Sequence, residues 1–305
     1  MQADGIILIK IILLPAMKLH LFQFLRNLAL INIAILSGEQ GFSQYYYHDI
    51  VLTAQNQQQQ QLYKKSRIMG VKLLSFEVNG QPAENFTAEV TPSSNYTQIR
   101  TFTKTAITGT SLLTAFYNAK GQLYRSTDSS NEAVNIYEYS YDNAGRLLVA
   151  VNLSEGFTSK IQQKEIHEWK YNNDGCPETM LRIKNSTDTT VIKFVCDSQG
   201  NVTEEESWWH NVSKEKIYYY YDTLNRLTDV VRYHARLAKL LPDYMFEYNA
   251  KGQLAQMITV QQGGSDYIVW RYEYMENGLK TRALCLNKQR KMVGRIEYQY
   301  VSGDK

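Results

Sequence analysis

Residues 137–147 read YEYSYDNAGRL, and two features of this stretch decide the fold. Tyr137, Tyr139 and Tyr141 alternate with Glu138 and Ser140, the period of two that gathers one set of side chains on one face of a β-strand. The strand is then interrupted by Asp142 to Gly145. The Asp side chain can bond nearby backbone amides, Gly supplies positive φ, and Leu147 opens a return strand. Strand, tight turn and return strand together predict a β-hairpin.

The same pattern recurs along the chain: an aromatic anchor, Asn or Asp, two variable residues, Gly, a variable residue and Leu. Tyr117 opens YNAKGQL, Tyr141 opens YDNAGRL, Tyr171 opens YNNDGCP, Cys196 opens CDSQGNV, Tyr221 opens YDTLNRL, Tyr248 opens YNAKGQL and Tyr274 opens YMENGLK. Successive anchors lie 24, 30, 25, 25, 27 and 26 residues apart, and a further 26 residues reaches Tyr300. Gly121, Gly145, Gly175, Gly200, Gly252 and Gly278 fill the turn slot, with Asn225 as the substitute in the fifth copy; Asn is the non-glycine residue that best tolerates left-handed φ. The aromatics ahead of each anchor alternate, as in His167, Trp169, Tyr171 or Trp270, Tyr272, Tyr274. The expected fold is all-β: an antiparallel sheet of tandem hairpin repeats over residues 105–305, twisted and free to curl. Seven copies invite a propeller, but a blade needs four strands and roughly 40 residues, more than each repeat supplies.

These copies resemble the YD repeats of the Rhs-type family, named for the Tyr-Asp pair seen at Tyr141-Asp142 and Tyr221-Asp222. The resemblance implies long antiparallel sheets. In some members these curl into a hollow shell around a toxic C-terminal domain, and in others they serve as extracellular surface or adhesive modules. This chain is much shorter than the shell-forming members, so the encapsulating role is not the expected one.

Upstream of the repeats the composition changes. From Met17, the sensible start, Lys18 and Arg26 form a basic region before the apolar run LALINIAILS at residues 28–37, which predicts a secretory signal peptide cleaved near Gln44. The run is about ten residues, short of the ~20 a membrane-spanning helix requires. Residues 45–69 form a Gln-rich leader, with a helix expected from Asp49 to Lys65 because neither Gly nor Pro interrupts it. Residues 70–104 look like decayed repeats capping the open edge of the array.

A formal charge of +3 from 33 basic and 30 acidic side chains is too small and too evenly spread for a nucleic-acid footprint. Cys176, Cys196 and Cys285 lack zinc or redox spacing, and their pairing cannot be deduced from sequence. No histidine lies within metal-ligand spacing of another His or Cys, the Asn and Asp of the turns are too few per loop for calcium, and no phosphate-binding or nucleophile motif is legible; no metal and no cofactor is expected. In Glu204-Glu205-Glu206 adjacent carboxylates point to opposite faces of a strand, and Trp208, Trp209 and His210 follow as candidate ligand-binding residues. The 23 tyrosines offer rigid contact surface to a protein or carbohydrate, though cross-strand tyrosine ladders also stabilise a sheet without any ligand. The expected protein is an exported, non-enzymatic binding or structural module of the bacterial periplasm or cell surface. The alternatives are a carbohydrate-active hydrolase using Glu204 and Glu206 with His210, or an orphaned piece of an Rhs-type shell.

Overall fold

The computed structural model describes residues 45–303 other than 107, 159–161, 235–236 and 261–265; the expected signal peptide lies outside the described residues. A helix, α1 (His48–Lys65), precedes β1 (Ile68–Phe76), β2 (Thr87–Pro92) and β3 (Gln98–Thr105). Seven repeat hairpins follow: β4 (Gly109–Tyr117) with β5 (Leu123–Ser130), β6 (Ala133–Tyr141) with β7 (Leu147–Gly156), β8 (Gln162–Tyr171) with β9 (Pro177–Lys184), β10 (Asp188–Cys196) with β11 (Val202–Trp209), β12 (Val212–Tyr221) with β13 (Leu227–His234), β14 (Lys239–Tyr248) with β15 (Leu254–Val260), and β16 (Tyr267–Tyr274) with β17 (Lys280–Leu286). The last strand is β18 (Met292–Ser302).

Each strand pairs antiparallel with the next, and β1 pairs with both β2 and β18, so the 18 strands close into an up-and-down barrel. This corrects the expected open, curled sheet. Residues 70–104 do not cap an edge, because β1 to β3 complete the circuit and no edge remains to cap. Closure satisfies the backbone groups that an open array would leave exposed on its first and last strands.

The Tyr-Asp pair has two separate jobs. The Asp or Asn closes the turn: Arg146 N donates to Asp142 Oδ1 at 2.8 Å, Cys176 N to Asn172 Oδ1 at 2.9 Å and Arg226 N to Asp222 Oδ1 at 3.0 Å. The turn slot takes positive φ, 88° at Gly145 and 58° at Asn225, where a Cβ is strained unless the residue is Asn. The same turn recurs where no tyrosine announces it, between β17 and β18, with Lys291 N on Asn287 Oδ1 and Arg290 at φ 59°.

The anchor tyrosine closes the seam between hairpins. On the turn side the ladder between neighbouring hairpins stops early, at Arg125↔Glu138, Val149↔Glu168, Glu204↔Tyr218 and Gln256↔Arg271. Beyond these points the carbonyl at the start of each return strand has lost its strand partner, and the next anchor supplies one. Tyr141 Oη donates to Leu123 O, Tyr171 to Leu147 O, Tyr221 to Val202 O, Tyr248 to Leu227 O, Tyr274 to Leu254 O and Tyr300 to Lys280 O, all between 2.6 and 2.8 Å. The residue preceding the return strand also reaches the next anchor: the Arg146 guanidinium lies 4.8 Å over the Tyr171 ring, and that of Arg226 4.6 Å over Tyr248.

The alternating aromatics face inward. Tyr117, Tyr139, Trp169, Tyr219, Trp270, Tyr272 and Tyr298 are buried together with Met180, Ile192, Ile217, Val230 and Ile296 in one core. A barrel of 18 strands is wide enough to leave an aqueous channel unless long side chains or a plug occupy it; here both do. The opposite faces of the strands carry paired charges, including Arg125–Glu138, Lys216–Glu204 and Glu273–Arg282–Glu297. A membrane-spanning barrel has the reverse arrangement, an apolar band outside and polar groups within. Among the described residues no helix is long and apolar enough to cross a membrane.

Candidate functional site

The plug is α1, and its glutamine run is seated, not loose. Gln60 Nε2 donates to Tyr96 O at 3.0 Å, Gln57 Nε2 reaches Lys120 O at 3.4 Å, and the Tyr117 hydroxyl meets Asn56 Oδ1 at 3.5 Å. Each of these partners lies at or beside a turn, so the helix lies across the mouth on the side of the repeat turns. Asp49 in the first turn and Lys64 and Lys65 in the last complement the helix dipole.

The helix has no side-chain cap of its own; the barrel provides one. Glu205, 2% exposed, projects from β11 and accepts Tyr46 N and Tyr47 N at 2.9 Å each and the Tyr219 hydroxyl at 2.7 Å. A carboxylate at a helix N-terminus is favourable both as an acceptor of free N–H groups and against the dipole. Burial pushes its carboxyl up to about 7, against the downward pull of these three donors. Around it, Tyr45 packs edge-on against Tyr219 and Tyr244, and Tyr47 against Tyr219.

A second tie joins α1 to β8 and β9. His167 Nδ1 lies 2.5 Å from Asp49 Oδ2 and its Nε2 2.9 Å from Glu165 Oε1, while Arg182 Nη2 holds the other Glu165 oxygen at 2.7 Å. Burial alone would depress the imidazole, but the flanking Asp49 and Glu165 carboxylates hold it up to about 9. Glu165, which burial would raise, is brought down to about 2 by His167 and Arg182. At neutral pH the row is therefore a buried imidazolium between two carboxylates, with every charge answered. A third inward row, Glu215–Arg232–Asp243, lies on β12, β13 and β14.

The sequence-predicted candidates divide between the two faces of the wall. Trp208 stands on the outside with the Lys193 ammonium 4.8 Å over its ring. Trp209 turns to the inner side at the far end of β11, where its Nε1 donates to Asp188 at 2.8 Å. His210 sits in the following turn at φ 49° with its ring 4.2 Å from that of Trp209. The three thus form no common platform. Glu204 and Glu206 share the outer face, the first bound to Lys216 Nζ at 2.5 Å and the second accepting from Ser213 at 2.7 Å. They do not converge with His210 in a cleft. Among the described residues no cluster of His, Cys, Asp or Glu is arranged to hold a metal.

Sequence reasoning passed over Glu205, the residue that fixes the plug, although strand alternation had already placed it opposite Glu204 and Glu206. It also left the cysteines open: Cys176 and Cys196 form a disulfide, and Cys285 is free and buried. One part of the outer wall, over β10 to β12, gathers Trp208 and Tyr218 with Lys193, Lys216, Glu204 and Glu206, and Lys216 lies 5.4 Å over the Tyr218 ring. Large aromatic faces framed by charges of both signs can stack on a sugar ring or receive a protein side chain.

No protein-family model matches the sequence, and no curated protein matches it. Among solved structures, the chain is similar to a porin-like protein from Bacteroides uniformis, at 9% identity over 77% of this chain and 98% of that one, with a TM-score of 0.41. It is also similar to the Tc holotoxin pore of Photorhabdus luminescens, at 12% identity over 70% of this chain and a TM-score of 0.33. The chain spans 12% of the length of that toxin chain. A porin-like protein from Bacteroides vulgatus matches at 11% identity over 77% of this chain and 98% of that one, with a TM-score of 0.29.

Proposed function

We propose that this chain is an exported, non-enzymatic barrel of the YD-repeat, Rhs-like kind, acting as a binding or structural module in the bacterial cell envelope. The observation that carries this reading is the division of chemistry across the wall. The tyrosine rows and the inward charges are used in holding the barrel and its plug together, and the outer strip around Trp208 and Tyr218 joins aromatic faces to charges of both signs. The disulfide supports export, since such bonds persist in oxidising compartments and are rare in a reducing cytosol. The turn and seam roles of the Tyr-Asp pair support the kinship, because they give a physical reason for the motif at nearly constant spacing.

The partner class is a protein or carbohydrate of the envelope. The test expresses the full chain in a bacterial host, measures the intact mass of the product and fractionates the cells. The expected product starts near residue 45, sits in the periplasmic or surface fraction and carries one disulfide. A product retained in the cytoplasm with three free thiols overturns the export reading. On a panel of envelope glycans and peptidoglycan fragments, Trp208→Ala lowers binding while the variant still melts as one cooperative unit. No binding to the panel by the wild type, together with no envelope protein retained at stoichiometric level, removes the binding role.

A further inference from the structure

The seam between β9 and β10 differs from its neighbours. Its ladder runs from Asp188↔Lys184 to Lys193↔Thr179 and then stops, as at the other seams. Continued in register, the next-but-two pair is Cys176 with Cys196, and these two are bonded with their Cα atoms 6.4 Å apart. In the repeat pattern Cys176 occupies the slot of Arg146 and Arg226, and Cys196 the slot of Tyr171 and Tyr248. The disulfide thus stands where the seams at Tyr171 and Tyr248 have an arginine over the tyrosine ring and a hydroxyl bond to the preceding return strand. A cleft of about 570 Å³ opens at this place, lined by both cysteines, Pro177, Phe194, Val195 and Gly200. Cys176 is 8% exposed and Cys196 more so, so the half of the bond nearer solvent is that of Cys196. The third cysteine, Cys285, is wholly buried in the core.

We propose that Cys176–Cys196 is a thiol–disulfide exchange site for a dithiol reductant, and that it is the one seam of the barrel that can be opened chemically without unfolding the rest. One thiolate of the dithiol attacks Cys196 Sγ, the Cys176–Cys196 bond breaks, and Cys176 leaves as a thiolate that takes a proton. The second thiol of the reductant then resolves the mixed disulfide and releases Cys196 as a thiol. Two electrons and two protons pass to the protein, and the reductant becomes a disulfide. With neither a tyrosine hydroxyl nor an arginine to hold it, the reduced seam has no clasp, and the turn-side ends of β9 and β10 separate. This inference rests on the seam geometry and stands apart from the export reading.

The test treats the folded full-length protein with dithiothreitol, traps thiols with an alkylating agent and locates them by mass spectrometry, with amide hydrogen exchange followed in parallel. Cys176 and Cys196 are expected to label while Cys285 stays protected. Exchange should quicken on the order of tenfold in residues 178–180 and 192–196 and nowhere else, the pattern of a local opening. Labelling of all three cysteines together overturns the proposal, because the bond is then reached only through global unfolding; unchanged exchange after reduction overturns the clasp. The double variant Cys176→Arg/Cys196→Tyr rebuilds the seam in its neighbours' chemistry, and its exchange should be slow with or without dithiothreitol. Cys176→Ala/Cys196→Ala should exchange as fast as the reduced wild type, and slow exchange in that variant refutes the clasp even if the rebuilt seam fails to fold.

Discussion

Replacing Tyr221 by Phe keeps the ring and removes one oxygen, the one that donates to Val202 O at 2.8 Å across the seam between β11 and β12. The Glu204↔Tyr218 pair is the last rung of that ladder, so the carbonyl of the fully buried Val202 is left with no partner across this seam. A hydrogen bond of this kind is worth about 1 kcal/mol, which for a chain of this size lowers the melting temperature by roughly 2–4 °C. Tyr220, one residue earlier and 48% exposed on the outer wall, is the matched control: Tyr220→Phe should leave the melting temperature within about 1 °C. The six seam bonds join different pairs of hairpins, and well-separated changes add. Phe at Tyr141, Tyr171, Tyr221, Tyr248, Tyr274 and Tyr300 together should therefore remove about 6 kcal/mol, comparable with the whole stability of an ordinary domain. Differential scanning calorimetry of the single, control and sixfold variants decides the matter. If Tyr221→Phe and Tyr220→Phe melt together, the hydroxyls are not what holds the seams and the account of the tyrosine anchor is wrong.

Glu205→Gln leaves at least one of that side chain's three donors, two from the start of α1 and one from β12, facing an amide N–H, a cost of ~1–3 kcal/mol; limited proteolysis should then cut within residues 45–65 faster than in the wild type. The pH dependence has three parts. Glu165, held down at about 2 from 4.5, stabilises the fold above pH 4.5 and loses that contribution as the pH falls toward 2. Glu205, raised to about 7, binds a proton more readily in the folded state, so stability declines from pH 4.5 to 7 and that loss is complete above it. His167, raised to about 9, contributes fully below pH 6.5 and loses its contribution as the pH rises through 9. Urea midpoints should therefore fall from about pH 5 toward both extremes, Glu205→Gln should flatten the slope between pH 4.5 and 7, and His167→Ala should flatten it between 6.5 and 9. In the turns, Gly252→Asn should be nearly neutral and Gly252→Val should cost more than 1 kcal/mol by the ~1–2 kcal/mol penalty of left-handed φ for a β-carbon; equal melting temperatures for the two would count against the turn assignment.

The sequence by itself determined the local structure. Alternation of Tyr137, Tyr139 and Tyr141 made a strand, Asp142 and Gly145 made a turn, and recurrence at nearly fixed spacing made an array, because these are contacts between residues a few positions apart. The uninterrupted glutamine run made a helix for the same reason. Tertiary structure decided what the array does with its ends. Whether β18 meets β1 depends on twist summed over every strand between them, which no single repeat encodes, and closure turned the tyrosines from an exposed row into a core. It likewise turned Glu205, one of three adjacent glutamates, into the cap of a helix about 160 positions away along the chain, and set Cys196 against Cys176 across a seam. Alternation places a side chain on one face or the other; which face is the inside, and what waits there, is settled only when the sheet closes around its helix.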